Sequence, residues 1–167
     1  MKKVLTLFFI CVLFFILDNT LVPFFAIKGY FPSILLTFCL LYSIFNGSIE
    51  GLWLGVFAGI LQDLYFYPGF GINSFSNMLV CAAAGLIGTG IFKEKALIPI
   101  VSSLGLSFVK GILVFSILYI NSMYMPFSKI IFNSLYNIII AIIMYRWVYR
   151  LCQKEYMQRK WSFYDGR

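Results

Sequence analysis

The stretch LIPIVSSLGLSFVKGILVFSILYIN, residues 97–121, carries a single charge, Lys110, in an otherwise apolar run. As a helix rising 1.5 Å per residue it would reach about 37 Å, enough to cross the roughly 30 Å hydrocarbon core of a bilayer. An ammonium group is thereby carried into the membrane. Ionisable groups are costly there and face the bundle interior or a water-filled cavity, which makes Lys110 a functional-site candidate. Two carboxylates, Asp18 and Asp63, interrupt other apolar stretches in the same way.

The rest of the chain belongs to the same class. Of 167 residues, 62% are hydrophobic and 11% charged, with 19 Phe and 11 Tyr, which is far from the composition of a soluble domain. This is the composition of an all-α, polytopic membrane protein. Histidine is absent, which removes imidazole ligation of metals and the Ser-His and Cys-His nucleophile pairs. Cys11, Cys39, Cys81 and Cys152 stand singly, without a CxxC or metal-site spacing, and the first three fall in apolar spans as small packing groups. We therefore expect no enzyme, no catalytic residues, no metal and no cofactor. The start, Met1-Lys2-Lys3 followed by an apolar run to Leu17, resembles a secretory signal, but Asp18-Asn19-Thr20-Leu21-Val22-Pro23 offers no small-x-small cleavage site. It is expected to stay as the first span.

Apolar runs give six transmembrane helices: residues 4–22, 31–45, 51–67, 75–92, 97–120 and 130–148, the second extending to residue 49. Pro68, Gly69 and Gly71 divide the long uncharged run 64–92 into two. Six crossings place both termini on one side. Ten cationic residues (Lys2, Lys3, Lys93, Lys95, Arg146, Arg150, Lys154, Arg159, Lys160 and Arg167) flank that side, against Lys28 and Lys129 opposite, so it is cytoplasmic by the positive-inside rule. The chain thus reads as a six-helix transmembrane domain, residues 1–150, with a basic cytoplasmic tail, residues 151–167. That tail, interleaved with aromatic residues, reads as an interfacial anchor on an anionic lipid bilayer rather than as a nucleic-acid patch.

Glycine recurs at every fourth position through Gly47, Gly51, Gly55 and Gly59, and Asp63 is next on the stripe. Such a face admits close approach by another helix, so these four glycines are expected at a helix contact and Asp63 inside the bundle. Ser103, Ser107 and Gly111 form a similar face beside Lys110. Counted from the cytoplasmic helix ends at 1.5 Å per residue, Asp18, Asp63 and Lys110 lie roughly 21 Å, 18 Å and 20 Å deep. The three could share one buried polar layer. It would serve either as a binding or relay site or, the reading buried pairs favour, as an ion pair that keeps the helices in register. Asn133 and Asn137 read as interhelical hydrogen-bonding groups. The outer loop, Tyr65 to Asn73 with Pro68, Gly69, Gly71 and Asn73, is aromatic and uncharged, suited to the bilayer interface or to docking a membrane protein.

These residues carry a resemblance. Gly55-Val-Phe-Ala-Gly59-Ile-Leu-Gln-Asp63, followed by Gly71-Ile72-Asn73, resembles the signature of the MreD family of bacterial rod-shape-determining membrane proteins. Asn19 to Pro23, Gly29, Pro32 and the apolar second span ending at Gly47 resemble that family's amino-terminal half. Ser33, where the family often carries an acidic residue, and Asp18, where an amide is more usual, depart from the pattern. The resemblance implies a non-enzymatic scaffold of the cell-elongation complex. Its partners would be the single-span membrane protein MreC and, through it, MreB filaments, RodA and a penicillin-binding protein. It also implies a fold similar to the substrate-binding subunits of energy-coupling-factor vitamin transporters, which supplies the alternative of a small-molecule carrier. The alanine pattern by which those subunits dock is missing from span one, which contains no alanine.

Overall fold

The computed structural model describes residues 2–26, 30–65, 70–90, 97–122, 126–155 and 157. It contains six α-helices: α1 Lys2–Thr20, α2 Ile34–Asn46, α3 Ser48–Tyr65, α4 Ile72–Thr89, α5 Leu97–Ile120 and α6 Phe127–Cys152. A 3₁₀ turn, Val22–Phe25, follows α1, and no strand occurs among the described residues. Among the described residues, four helices are long and apolar enough to cross a membrane: α1, α4, α5 and, over Ile130–Cys152, α6.

The second expected span is shorter than its apolar run. α2 has 13 residues, about 20 Å of helix, too little to cross a bilayer alone. Its start is set locally: Pro32 disfavours helix for the residue before it, and Ser33, extended at φ −116°, caps the helix by accepting from the Leu36 N–H at 3.2 Å. Its end is set by Gly47, whose φ of +100° belongs to the region that favours glycine. Every residue from Leu35 to Ile44 is buried, and α2 packs against all five other helices. A helix apolar around its whole circumference must be a core helix, and α2 is the axis of this bundle. Phe38, Cys39 and Tyr42 meet Cys11 of α1, Cys81 and Ala84 of α4, and Ala141 and Val148 of α6 in one apolar cluster. All four cysteines are free thiols buried in the bundle.

α3 and α4 are antiparallel neighbours joined through glycine. A Cβ built on Gly51 would lie 2.7 Å from the Cys81 carbonyl, one on Gly55 2.6 Å from that of Asn77, and one on Gly59 2.7 Å from that of Asn73. Each step of four along α3 is thus matched by a step of four backward along α4, the register of two helices in backbone contact. Gly47 differs from the other three: space around it is open to a Cβ, and its role is the turn between α2 and α3. The close contact there comes from α4, where a Cβ on Gly85 would collide with Gly47 and Ser48, and one on Gly88 with the Ile44 carbonyl.

At one end of the bundle the start of α1 meets the segment after α6. Lys3 Nζ donates to Glu50 Oε1 at 2.6 Å and to the Met157 carbonyl at 2.8 Å, while the Tyr42 hydroxyl donates to Glu50 Oε2 at 2.7 Å. Lys3–Glu50 is the one ion pair among the described residues. Residues separated by 154 positions are thereby held at the same end of the molecule.

Candidate functional site

At the other end of α2, polar side chains from all six helices converge. Asp18 of α1 reaches across to the amino terminus of α2. Its Oδ1 accepts from the Ile34 N–H at 2.7 Å, and its Oδ2 accepts from the Leu35 N–H at 3.1 Å and the Ser33 hydroxyl at 2.9 Å. Helix starts expose N–H groups without intrahelical acceptors and carry partial positive charge, so a carboxylate placed there is stabilised on both counts. Asp63 of α3 does the same for α4, accepting from the backbone N–H groups of Gly71 at 3.0 Å, Asn73 at 2.9 Å and Ser74 at 2.9 Å. Gly71 presents its N–H from a left-handed conformation, φ +97°. Gly71 and Asn73 therefore belong to the closure of α4 on α3, while Pro68 and Gly69 of the outer loop lie outside the described residues.

Lys110 of α5 has neither carboxylate as an ion-pair partner. Its Nζ donates to Gln62 Oε1 at 3.0 Å, and no carboxylate oxygen among the described residues lies within 4.0 Å. In place of an Asp63–Lys110 ion pair within the layer stand two separate arrangements, because three oriented backbone donors offer Asp63 a closer set of partners than one ammonium. Gln62 is the hub: its Oε1 also accepts from Asn77 Nδ2 of α4 at 3.0 Å, and its Nε2 donates to Ser33 Oγ at 3.2 Å. Asp18 and Lys110 are thus joined through Ser33 and Gln62, whereas Asp63 stands beside that chain with its own partners.

α6 completes the layer. The backbone before α2 is extended, and non-helical backbone among membrane helices persists only where its polar groups are satisfied by protein or enclosed water. Asn133 Oδ1 accepts from the Phe31 N–H at 3.2 Å and Asn137 Oδ1 from the Ser33 N–H at 2.8 Å. Between them Pro32 has no N–H to satisfy, so two asparagines four apart on one helix match two donors two apart on the strand-like segment. Asn137 Nδ2 continues to Ser107 Oγ of α5 at 2.6 Å.

Gln62, Asn77 and Ser33 were not singled out by the sequence as members of the layer. The available signals were Pro32-Ser33 before an apolar run, a helix-start pattern, and Gln62 adjacent to Asp63 on a glycine-lined helix. Asn77 gave no signal of its own. The arrangement holds no nucleophile–base pair, and no group of three or more Cys, Asp or Glu able to hold a metal ion occurs among the described residues. Its chemistry is closure: side chains of α1, α3 and α6 terminate two helix starts and one extended segment inside an apolar bundle, and Asn77, Ser107 and Lys110 of α4 and α5 tie into them through Gln62 and Asn137.

The model of the family described as rod shape-determining protein MreD matches residues 1–155. This chain belongs to the MreD family. It is accordingly a membrane protein with a role in rod shape determination, in a family of shape-determining structural proteins not known as enzymes. The match spans α1 through α6, so the network and the α3–α4 contact both lie within the MreD region. No curated protein and no solved structure matches the chain, and the likeness to vitamin-transporter subunits finds no support there.

Proposed function

We propose that this MreD-family protein is a non-enzymatic scaffold of the cell-elongation complex. It binds a single-span MreC-like protein and thereby links MreB filaments to the peptidoglycan synthases RodA and a penicillin-binding protein. The observation that carries the reading is the family match over residues 1–155. The polar layer is consistent with it, because the carboxylates and the ammonium are engaged with the protein's own backbone and amides, as suits a rigid part. Depletion in the native bacterium should convert rods to rounded, swollen cells, and an MreC-like protein should co-purify in mild detergent. The alternative, a small-molecule carrier subunit, would instead show retained ligand in the purified protein and rescue by an added vitamin, with no shape defect before starvation.

We further propose that the scaffold lies in the cytoplasmic membrane with six crossings and both termini in the cytoplasm. Two observations support this: the cationic residues are biased to one side, and Lys3 touches Met157. α2 would contribute to its crossing as a short core helix continued outward by the extended residues 30–33. Reporter fusions at Lys95 and Arg167 should give cytoplasmic signals, and fusions at Lys28 and Ser128 external ones. A fusion at Arg167 reporting outside would require an odd number of crossings and overturn the topology.

A further inference from the structure

Asn77 has no solvent-exposed surface, and its Oδ1 has no hydrogen-bond partner among the described residues. Buried acceptors in this condition are rare, since nearly all buried polar groups find a partner in the protein or in ordered water. The orientation of the amide is fixed by its neighbours. Lys110 is a pure donor, so Gln62 must turn Oε1 toward it and Nε2 toward Ser33 Oγ. Asn77 must then present Nδ2 to Gln62 Oε1, because reversing the amide would set oxygen against oxygen. Its Oδ1 is left as the unpartnered atom.

The nearby cation is also incompletely used. Lys110 is 8% exposed, and of the three donors of an ammonium one goes to Gln62. Lys110 Nζ and Asn77 Nδ2 each lie 3.0 Å from the same oxygen, Gln62 Oε1, so they are within about 6 Å of each other. Unfilled donors on Lys110 and an unfilled acceptor on the Asn77 amide therefore flank the same Gln62 oxygen.

We propose that Lys110 and Asn77 bind one water molecule between them, beside Gln62. The chemistry selects water over an ion. A halide would accept from Lys110 but repel Asn77 Oδ1, and a metal cation would suit Asn77 but be repelled by the ammonium. A neutral group that both accepts and donates satisfies both, and water is the smallest such group, held stably by two to four polar partners. The assignment concerns the interior of the bundle and is independent of which proteins dock on its surface.

The test uses the full chain in phospholipid bilayers, labelled with ¹⁵N at lysine and with ¹³C and ¹⁵N at glutamine. Solid-state spectra edited for polarisation from water should show early transfer to the Lys110 Nζ signal, identified through its contact with Gln62. Asn77→Leu should abolish that transfer while the Lys110 signal persists. Transfer retained in Asn77→Leu would mean that Lys110 is wetted from elsewhere, and a Lys110 signal that moves when chloride is exchanged for bromide would mean a halide; either overturns the proposal. Should Asn77→Leu fail to fold, a density map of the unaltered protein that resolves ordered waters decides the matter. A peak within hydrogen-bond distance of both Lys110 Nζ and Asn77 Oδ1 supports the site, and its absence refutes it.

Discussion

Asp63→Ala should prevent accumulation of folded protein. The carboxylate accepts three backbone hydrogen bonds, from Gly71, Asn73 and Ser74, and is 4% exposed, so truncation strands three donors where water does not replace it. An unsatisfied buried donor costs about 1–3 kcal/mol, so the three together amount to several, against the ~5–15 kcal/mol that holds a typical domain. Asp63→Asn should be intermediate, because an amide oxygen accepts at two sites at most and its NH₂ opposes the third donor. Folded yield after detergent extraction and the thermal midpoint measure the series. Adding Lys110→Met should not restore Asp63→Asn, since the loss at Asp63 is of backbone bonds rather than of an ionic partner. Recovery of abundance in the double variant would show that a direct Asp63–Lys110 attraction dominates instead.

That series marks where the sequence was legible and where it was not. Charges inside apolar runs announced Asp18, Asp63 and Lys110 as a layer, since few reasons exist to carry charge into a bilayer. Opposite signs at similar depth then suggested pairing. Which partner a carboxylate takes is decided by geometry that charge pattern does not encode: both carboxylates sit one helix away from a helix start, and backbone donors leave no mark in composition. The spacing from Asp63 to Gly71-Ile72-Asn73 did hold the information, but as a motif without a mechanism. The shortness of α2 was similarly written in Pro32-Ser33 and obscured by the apolar residues on either side. Uncharged Gln62 and Asn77 were invisible to a search for charge, although in a low-dielectric interior the hydrogen bonds of an amide hub strengthen one another. The glycine stripe of α3 was legible because a repeat of four has one geometric meaning in a helix, whereas Gly85 and Gly88 of α4 are three apart and meet the α2–α3 turn and the end of α2.

Gly59→Leu should be nearly as damaging as the loss of Asp63, for the opposite physical reason. A Cβ on Gly59 would collide with Ser74 Cα and lie 2.6 Å from Ser74 N and 2.7 Å from the Asn73 carbonyl. These are backbone atoms, so no rotamer relieves the overlap and α4 must move away. Movement there also lengthens the 2.9 Å bond from Ser74 N–H to Asp63, so overpacking and loss of the cap are coupled. Overpacking typically costs about 1–3 kcal/mol, and contact with backbone places this site at or above the upper end. Gly59→Ala should already be harmful, since the first added carbon makes the collision. Two other glycines calibrate the series. Nothing lies within 4 Å of a Cβ at Gly105 on α5, so Gly105→Ala should be neutral or stabilising by up to about 1 kcal/mol through helix propensity. Gly111→Ala meets the Cγ2 of Ile130, a side chain able to turn, and should fall between them. Thermal midpoints in the order Gly105→Ala, Gly111→Ala, Gly59→Ala, from highest to lowest, are expected. A Gly59→Leu protein as stable as Gly105→Ala would mean that this face of α3 meets lipid rather than α4.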